Sequence, residues 1–162
     1  MKLLVVCLGN ICRSPMGEGA LRARLAEAGL GERIRVDSAG TSGWHAGQPP
    51  DRRAVACAMR HGVDISGLRA RQLLRADFEE FDFILCADRN NVNDAIKLAP
   101  AHMDGRAALW LPWAGVQGGA VVPDPYYGDD AAFEHSWSLI DAAASGTVKR
   151  LAQAMDSGII PT

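Results

Sequence analysis

Short hydrophobic runs alternate along the chain with longer stretches in which hydrophobic residues recur every three or four positions. Residues 2–7 are uniformly hydrophobic after Lys2, a pattern typical of a central parallel strand that is covered on both faces. Shorter runs of the same kind predict further strands at residues 34–36, 81–86 and 107–111. The pattern therefore predicts four strands.

The stretches between the strands have helical periodicity and the residues that usually mark helix ends. Helices are predicted over residues 15–28, 51–62 and 88–98. Gly29 ends the first of these helices, and Asp51 is the N-cap of the second. A long final helix begins at Asp129 or Asp130. Its hydrophobic stripe indicates core packing and comprises Phe133, Trp137, Ile140, Ala144, Val148, Leu151 and Met155.

Strands that are joined by helices of this length imply a parallel sheet with right-handed crossovers. A chain of 162 residues that is 48% hydrophobic suits one globular domain over 1–162. The fold class is thus an α/β doubly wound sandwich with polar loops at 37–50 and 112–128. Such sheets bind ligands at the carboxyl ends of their strands, where Cys7, Ser38 and the 112–128 loop are expected to converge.

The segment between the first strand and the first helix has the pattern of a phosphate-binding loop. Cys7 is followed, after five residues, by Arg13 and Ser14. The backbone N–H groups of such a turn and the start of the helix favour a bound dianion, and Arg13 can hold two phosphoryl oxygens. The same field, with the Ser14 hydroxyl, favours the thiolate form of Cys7. The loop residues are Leu8, Gly9, Asn10, Ile11, Cys12 and Ser14.

This pattern predicts a phosphatase in which Cys7 is the nucleophile, although a cysteine at the end of a strand can also be a small core residue. A carboxylic acid is then needed to protonate the leaving group. Asp124 lies between Pro123 and Pro125, which restrict the backbone of its loop. From the residues alone, Asp124 is as well explained as a turn residue.

The segment 6–15 resembles the active-site loop of the low-molecular-weight protein tyrosine phosphatases. Further segments match that family in order along nearly the whole chain, at residues 37–42, 44–47, 71–72, 81–85 and 123–128. The resemblance implies a four-stranded parallel sheet in the order 2-1-3-4, with Asp124 as the general acid and base. The expected function is hydrolysis of phosphotyrosine and aryl phosphates through a cysteinyl-phosphate.

The resemblance also implies roles for residues around the loop. Ser38 hydrogen-bonds Asn10, whose left-handed backbone shapes the loop, and Cys12 can form a reversible disulfide with Cys7 that makes the enzyme redox-regulated. Relatives that act on phosphoarginine have threonine where this chain has Ile11, so isoleucine favours phosphotyrosine. The expected pocket walls are Trp44, His45, Tyr126 and Tyr127.

Two positions depart from the family pattern. Many bacterial relatives have histidine at the position after Gly67, where this chain has Leu68. The family pattern therefore does not define the hydrogen-bond network at this position. In the segment 88–91, asparagine replaces the usual serine. We expect no cofactor and no metal, because the histidines show no metal-ligand spacing, and we expect Cys57 and Cys86 to lie in the core.

Charge and cysteine content bear on the cellular compartment and the partners of the protein. The formal net charge of −2 is close to balance, so nothing indicates a nucleic-acid partner, and no hydrophobic run has membrane-spanning length. A working thiol at Cys7 favours a reducing compartment, and we expect a cytoplasmic protein. Expected partners are phosphotyrosine-bearing proteins and a cognate tyrosine kinase, with a monomer or weak self-association.

Two other functions remain open from the sequence. An arsenate reductase can use the same fold and the same thiol loop, but its chemistry needs a relay of further cysteines, and Cys86 has no close neighbour of that kind. A non-catalytic phosphotyrosine-binding regulator would not need Cys7, Arg13 and Asp124 together. Phosphatase turnover, arsenate reduction and binding without turnover distinguish the three.

Overall fold

The sheet in the computed structural model has four parallel strands in the order β2-β1-β3-β4, which confirms the predicted order. The central strand β1 (Lys2–Cys7) pairs with β2 (Arg35–Gly40) on one side and with β3 (Phe83–Cys86) on the other. The short strand β4 (Ala107–Leu109) pairs with β3 at the edge. The carboxyl ends of all four strands therefore point to the same side of the sheet.

The structure describes residues 1–160, so the last two residues of the expected 1–162 domain lie outside the described residues. No helix within the described part is both long and hydrophobic enough to cross a bilayer. The helices are α1 (Arg13–Glu27), α2 (Arg52–Arg60), α3 (Asp77–Glu80), α4 (Arg89–Leu98), α5 (Trp110–Trp113) and α6 (Asp130–Asp156), and a 3₁₀ turn spans Asp104–Arg106.

Successive residues of β1 point into two different hydrophobic layers. Leu3 and Val5 pack in the larger cluster, which includes residues of α1, α2 and α6. Leu4 and Val6 pack in the smaller cluster with Phe78 and other side chains from the opposite face. This alternation explains why the first strand is hydrophobic at every position, since neither face meets solvent.

Several predicted boundaries were wrong, and β2 is the most informative of them. The strand continues through residues 37–40, which the polar pattern assigned to a loop. These residues pair with β1 through their backbone, while Asp37 accepts a hydrogen bond from Arg71 Nε and Ser38 accepts one from Asn10 Nδ2. Polar side chains at a strand end therefore hid a regular strand, because they accept hydrogen bonds from Arg71 and Asn10 and do not pack in the core.

The other corrections are smaller. The third strand starts at Phe83 rather than 81, because the carboxylate of Asp82 accepts a hydrogen bond from the backbone N–H of Lys2, outside the ladder. The fourth strand stops at Leu109, and the chain then turns directly into α5. The helices α3 and α5 are single turns without enough length for a periodic signal, and both were missed.

A close backbone contact joins β2 to the loop after β1. Gly40 lies opposite Cys7 in the ladder, and a Cβ atom at this position would come within 2.7 Å of the carbonyl oxygen of Leu8. The pairing continues past the strands, since Thr41 N–H donates to the carbonyl of Cys7 at 2.9 Å. A glycine is required at position 40 so that the loop can lie against the end of β2.

Candidate active site

The loop between β1 and α1 is shaped by the side chain of Asn10. Its backbone has φ 56°, in the left-handed region that asparagine tolerates better than most residues. Its Nδ2 donates to Ser14 Oγ at 2.7 Å and to Ser38 Oγ at 3.0 Å, and its Oδ1 accepts from the backbone N–H of Arg71 at 3.0 Å. The buried amide thus holds three separate segments together beneath the loop.

Cys7 lies at the carboxyl end of β1, directly in front of α1. Its Sγ is 3.0 Å from Ser14 Oγ, so the hydroxyl can donate a hydrogen bond to a thiolate. Among residues 1–160, no side chain caps the start of α1, which leaves the first backbone N–H groups of this 15-residue helix directed toward the loop. These donors and the positive end of the helix favour negative charge near the sulfur.

Arg13 is 4% exposed and extends along the floor of the site. Its Nη1 donates to Asp88 Oδ2 at 2.6 Å and to the carbonyl of Val122 at 3.0 Å, while Nη2 lies 3.6 Å from Asp124 Oδ2. Burial alone would lower the pKa of Arg13, but Cys7 and the hydrogen bond with Asp88 raise it above its ordinary value. The guanidinium is therefore a fixed positive charge.

Asp124 reaches the site from the long loop before α6. Its side chain is 43% exposed and its Oδ1 accepts a hydrogen bond from the N–H of Tyr126 at 3.1 Å. The preceding carbonyl, that of Pro123, accepts a hydrogen bond from Ser136 Oγ of α6 at 2.9 Å. The carboxyl group is thus held near Arg13 while one side remains open to the pocket.

These groups line a pocket of about 180 Å³. Trp44 is 75% exposed and Tyr127 is 96% exposed, so both lie at the rim, whereas Tyr126 stands edge-to-face against Tyr127 with ring centroids 4.9 Å apart. Of the residues predicted for the site, Asn10, Ser14 and Ser38 lie beneath the loop instead of lining the pocket. The others line it together: Cys7, Leu8, Gly9, Ile11, Cys12, Arg13, Trp44, His45, Asp124, Tyr126 and Tyr127.

Cys12 is buried beside the nucleophile. Burial is the main reason that the pKa of its thiol is raised above the ordinary value, with further contributions from the negative charges of Asp51 and Cys7. Cys12 is therefore a protonated thiol at neutral pH. All four cysteines of the chain have free thiols, and Cys57 and Cys86 are buried as expected.

The sequence reasoning missed two residues that support the loop. Asp88 lies two residues after the end of β3, so the rule that placed Cys7 and Ser38 at strand ends also applies to it. Arg71 contributes its backbone N–H to Asn10 and its guanidinium to Asp37 and Asp77. A link of that kind leaves no local signal in the sequence, because its partners are distant along the chain.

Glu18 is a third residue that was missed. It is buried within α1, and its Oε1 accepts a hydrogen bond from Ser38 Oγ at 2.7 Å. Burial raises its pKa above the ordinary value, although the hydrogen bond from Ser38 and the positive charge of Arg22, whose Nη1 lies 2.6 Å from Oε2, act in the opposite direction. Leu68, at the position where many bacterial relatives have histidine, packs instead against the larger hydrophobic cluster.

Comparisons with known proteins agree with this geometry. The family model described as low molecular weight phosphotyrosine protein phosphatase matches residues 2–157. The low molecular weight phosphotyrosine protein phosphatase of Homo sapiens is 42% identical over 133 residues, which cover 82% of this chain and 84% of that protein.

Solved structures give the same result. A protein tyrosine phosphatase from Entamoeba histolytica, with Hepes in its active site, superposes with a TM-score of 0.89 at 30% identity and covers 99% of both chains. Vibrio vulnificus Wzb in complex with benzylphosphonate has a TM-score of 0.80 at 34% identity and covers 92% of this chain and 97% of its own. The chain belongs to the low molecular weight phosphotyrosine protein phosphatase family.

Proposed function

We propose that this protein hydrolyses phosphotyrosine and other aryl phosphates through a cysteinyl-phosphate intermediate. The observation that carries the proposal is the meeting of Cys7, Arg13 and Asp124 in one pocket with aromatic side chains at its rim. Cys7 and Arg13 belong to the loop between β1 and α1, whereas Asp124 reaches the same pocket from the loop before α6, and a purely structural role for these groups would not explain their convergence.

In the first step, the Cys7 thiolate attacks phosphorus and an S–P bond forms while the P–O bond to the leaving group breaks. The loop N–H groups and Arg13 stabilise the charge on the equatorial oxygens. Asp124, as the acid, gives its proton to the departing phenolate oxygen. The distance of 3.6 Å between Asp124 Oδ2 and Arg13 Nη2 supports this role, because a phosphoryl group held by Arg13 would lie next to the carboxyl group.

In the second step, Asp124 acts as a base. The carboxylate takes a proton from a water molecule, whose oxygen attacks phosphorus as the S–P bond breaks. Inorganic phosphate leaves and the thiolate is restored. The Ser14 hydroxyl, 3.0 Å from the sulfur, stabilises the thiolate as it departs.

The pocket walls favour an aryl phosphate over an alkyl phosphate. A phenyl ring between the reactive sulfur and the rim contacts the apolar surface of Ile11 and the ring of Tyr126, both of which line the pocket. Phosphoserine has a shorter side chain and gains less from these contacts. The benzylphosphonate complex of Vibrio vulnificus Wzb is consistent with an aromatic ligand in a pocket of this fold.

Three finer points belong to the same proposal. Cys12 forms a reversible disulfide with Cys7 when the sulfur is oxidised, which prevents irreversible oxidation. The enzyme works in the cytoplasm, where reducing conditions keep Cys7 a thiol. Its substrates are phosphotyrosine-bearing proteins that a tyrosine kinase supplies.

Hydrolysis of p-nitrophenyl phosphate and of a phosphotyrosine peptide, with and without vanadate, tests the proposal. Cys7→Ser should lower kcat by about 10⁴-fold or more, and Asp124→Ala should lower it by roughly 10²- to 10⁴-fold. Asp129→Ala, which removes the N-cap of α6, is the matched aspartate control and should retain most activity. Arsenate reduction or tight phosphotyrosine binding without turnover would contradict the proposal.

A further inference from the structure

A second cluster of reactive side chains lies between the end of α2 and the start of α6. Cys57 and His61 are four residues apart at the end of α2, and Glu134 faces them from α6. One ligand atom from each, the sulfur, a ring nitrogen and a carboxylate oxygen, lies within 4.8 Å of the other two. None of the three residues lines the pocket that contains Cys7.

One distance within the cluster matches the separation between two ligands of a bound cation, whereas the other is that of a direct hydrogen bond and would have to lengthen. Cys57 Sγ lies 3.6 Å from Glu134 Oε1, and His61 Nε2 lies 2.7 Å from Glu134 Oε2. Sulfur, nitrogen and oxygen ligands lie about 2.0–2.3 Å from a tetrahedral zinc ion, so their mutual separations are roughly 3.3–3.8 Å. Small side-chain movements are enough to reach that arrangement.

The surroundings hold two of the three side chains in place. The His61 ring stacks on Trp137 with centroids 5.0 Å apart and planes inclined by 10°, which fixes the direction of its nitrogens. Arg60 Nε donates to Glu134 Oε1 at 2.7 Å and leaves Oε2 directed at His61. Metal-binding carboxylates are commonly hydrogen-bonded by a further side chain, which fixes their orientation.

We propose that Cys57, His61 and Glu134 form a binding site for a borderline-soft divalent cation such as Zn²⁺, separate from the pocket that contains Cys7. The mixed donor set selects zinc or a similar ion over magnesium or calcium, which prefer oxygen ligands alone. Three protein ligands leave a fourth position for water. The expectation of no metal was based on histidine spacing and did not include Glu134, which is 73 residues away from His61.

Binding of the cation must release protons. The proton of the Cys57 thiol is released to solvent as the S–Zn bond forms. A ring nitrogen of His61 binds the ion, and the hydrogen bond between His61 and Glu134 is given up. The thiolate and the carboxylate together balance the charge of Zn²⁺.

The cation would cross-link α2 to α6 behind the loop that contains Asp124. Glu134 lies two residues before Ser136, whose hydroxyl holds the carbonyl of Pro123. Arg53, on the same helix as Cys57, stacks over the rings of Phe133 and Tyr126. The ion takes no part in the reaction and would act by stabilising this contact between the two helices.

The test measures cobalt and zinc binding to the full chain with Cys7→Ser and Cys12→Ser, which remove the pocket thiols as competing ligands. Co²⁺ should bind with one-to-one stoichiometry and give a sulfur-to-cobalt charge-transfer band. Zinc affinity should fall by about 100-fold or more in Cys57→Ser, His61→Gln and Glu134→Gln, since loss of even an outer partner costs roughly 10- to 100-fold. Zinc should also raise the Tm of the chain with Cys7→Ser and Cys12→Ser, and should not do so after His61→Gln is added.

His135→Gln and Cys86→Ser are the matched controls, because neither residue belongs to the cluster, and both should leave the affinity unchanged. Absence of the charge-transfer band, or zinc affinity that survives His61→Gln and Glu134→Gln, would overturn the proposal. These two variants change partly exposed side chains, so the test remains decisive even if Cys57→Ser unfolds.

Discussion

At the scale of single residues, the amide of Asn10 connects the phosphate loop to Ser14, to β2 through Ser38 and to the backbone of Arg71. A buried amide with all these partners contributes more to the free energy of unfolding than a cap or turn residue does, because each partner would be left without its hydrogen bond if the amide were removed. The left-handed backbone adds a second requirement, since alanine adopts it only with strain.

Asn10→Ala should therefore lower the free energy of unfolding by about 2–4 kcal/mol and lower kcat on the order of 10- to 100-fold. Urea unfolding and steady-state hydrolysis of p-nitrophenyl phosphate measure the two effects. Asn93→Ala, on the exposed face of α4, is the control and should change neither. An Asn10→Ala protein with normal kcat would show that the loop keeps its shape without this amide.

Glu18 gives the fold a dependence on pH with a definite sign. Its pKa is raised by burial, so above the ordinary value of 4.5 the unfolded chain loses this proton before the folded chain does. Stability that is present at lower pH is then lost as the pH rises through the folded pKa. Glu18→Gln removes this effect, because glutamine has no proton to lose.

The difference in unfolding free energy between Glu18→Gln and the wild type should therefore shift in favour of the variant as the pH rises above 4.5. Urea unfolding of both proteins across the acidic to neutral range measures it, with Glu79→Gln, an exposed change, as the control. A constant difference between the two proteins at every pH would contradict the assignment.

At the scale of elements, the loop of Asp124 is held from three directions. The carbonyl of Val122 accepts a hydrogen bond from Arg13 Nη1, and the N–H of Val122 donates to the carbonyl of Ala87 at 2.8 Å. Ser136 Oγ of α6 donates to the carbonyl of Pro123. The sequence shows only the prolines around Asp124. The loop is thus positioned by the start of α1, the residue after β3 and α6, and we predict that α6 influences catalysis through this contact.

Ser136→Ala removes one of these connections. It should lower the unfolding free energy by about 1 kcal/mol and lower kcat roughly 3- to 10-fold with little change in KM, because the general acid becomes less well placed. Steady-state kinetics with an aryl phosphate measure this, with Ser138→Ala, an exposed serine two residues further along α6, as the control. Equal effects of the two substitutions would exclude a positioning role for Ser136.

At the scale of the whole molecule, β1 belongs to both hydrophobic layers and ends at the nucleophile. Loss of either layer removes the support of Cys7, so activity and the sheet should be lost in a single transition. Residual activity and far-UV circular dichroism, followed during heating in the presence of a reductant, should have the same midpoint. Inactivation well below the circular dichroism midpoint would show that the loop melts before the sheet.

Periodicity was sufficient for the α/β class, and the rule that ligands bind at strand ends brought Cys7 and the 112–128 loop to one edge of the sheet. The strand order, the role of Asp124 and the aromatic walls of the pocket came from the family resemblance. The sequence was not sufficient to identify the residues that support the phosphate loop. Ser38 and Asp37 looked like loop residues because their side chains serve the site rather than the core. Glu18 and Arg71 act on partners that only the folded chain brings near, so neither has a recognisable spacing.

Because the indole rings differ in exposure, tryptophan fluorescence can report binding at the pocket. Trp44 stands at the rim with 75% of its surface exposed, whereas Trp110 and Trp137 are buried. Iodide in solution therefore quenches the fluorescence of Trp44 far more than that of the two buried rings. A phosphopeptide that seats over the rim shields this ring, and the resulting loss of quenching reports docking even in a protein that cannot turn over.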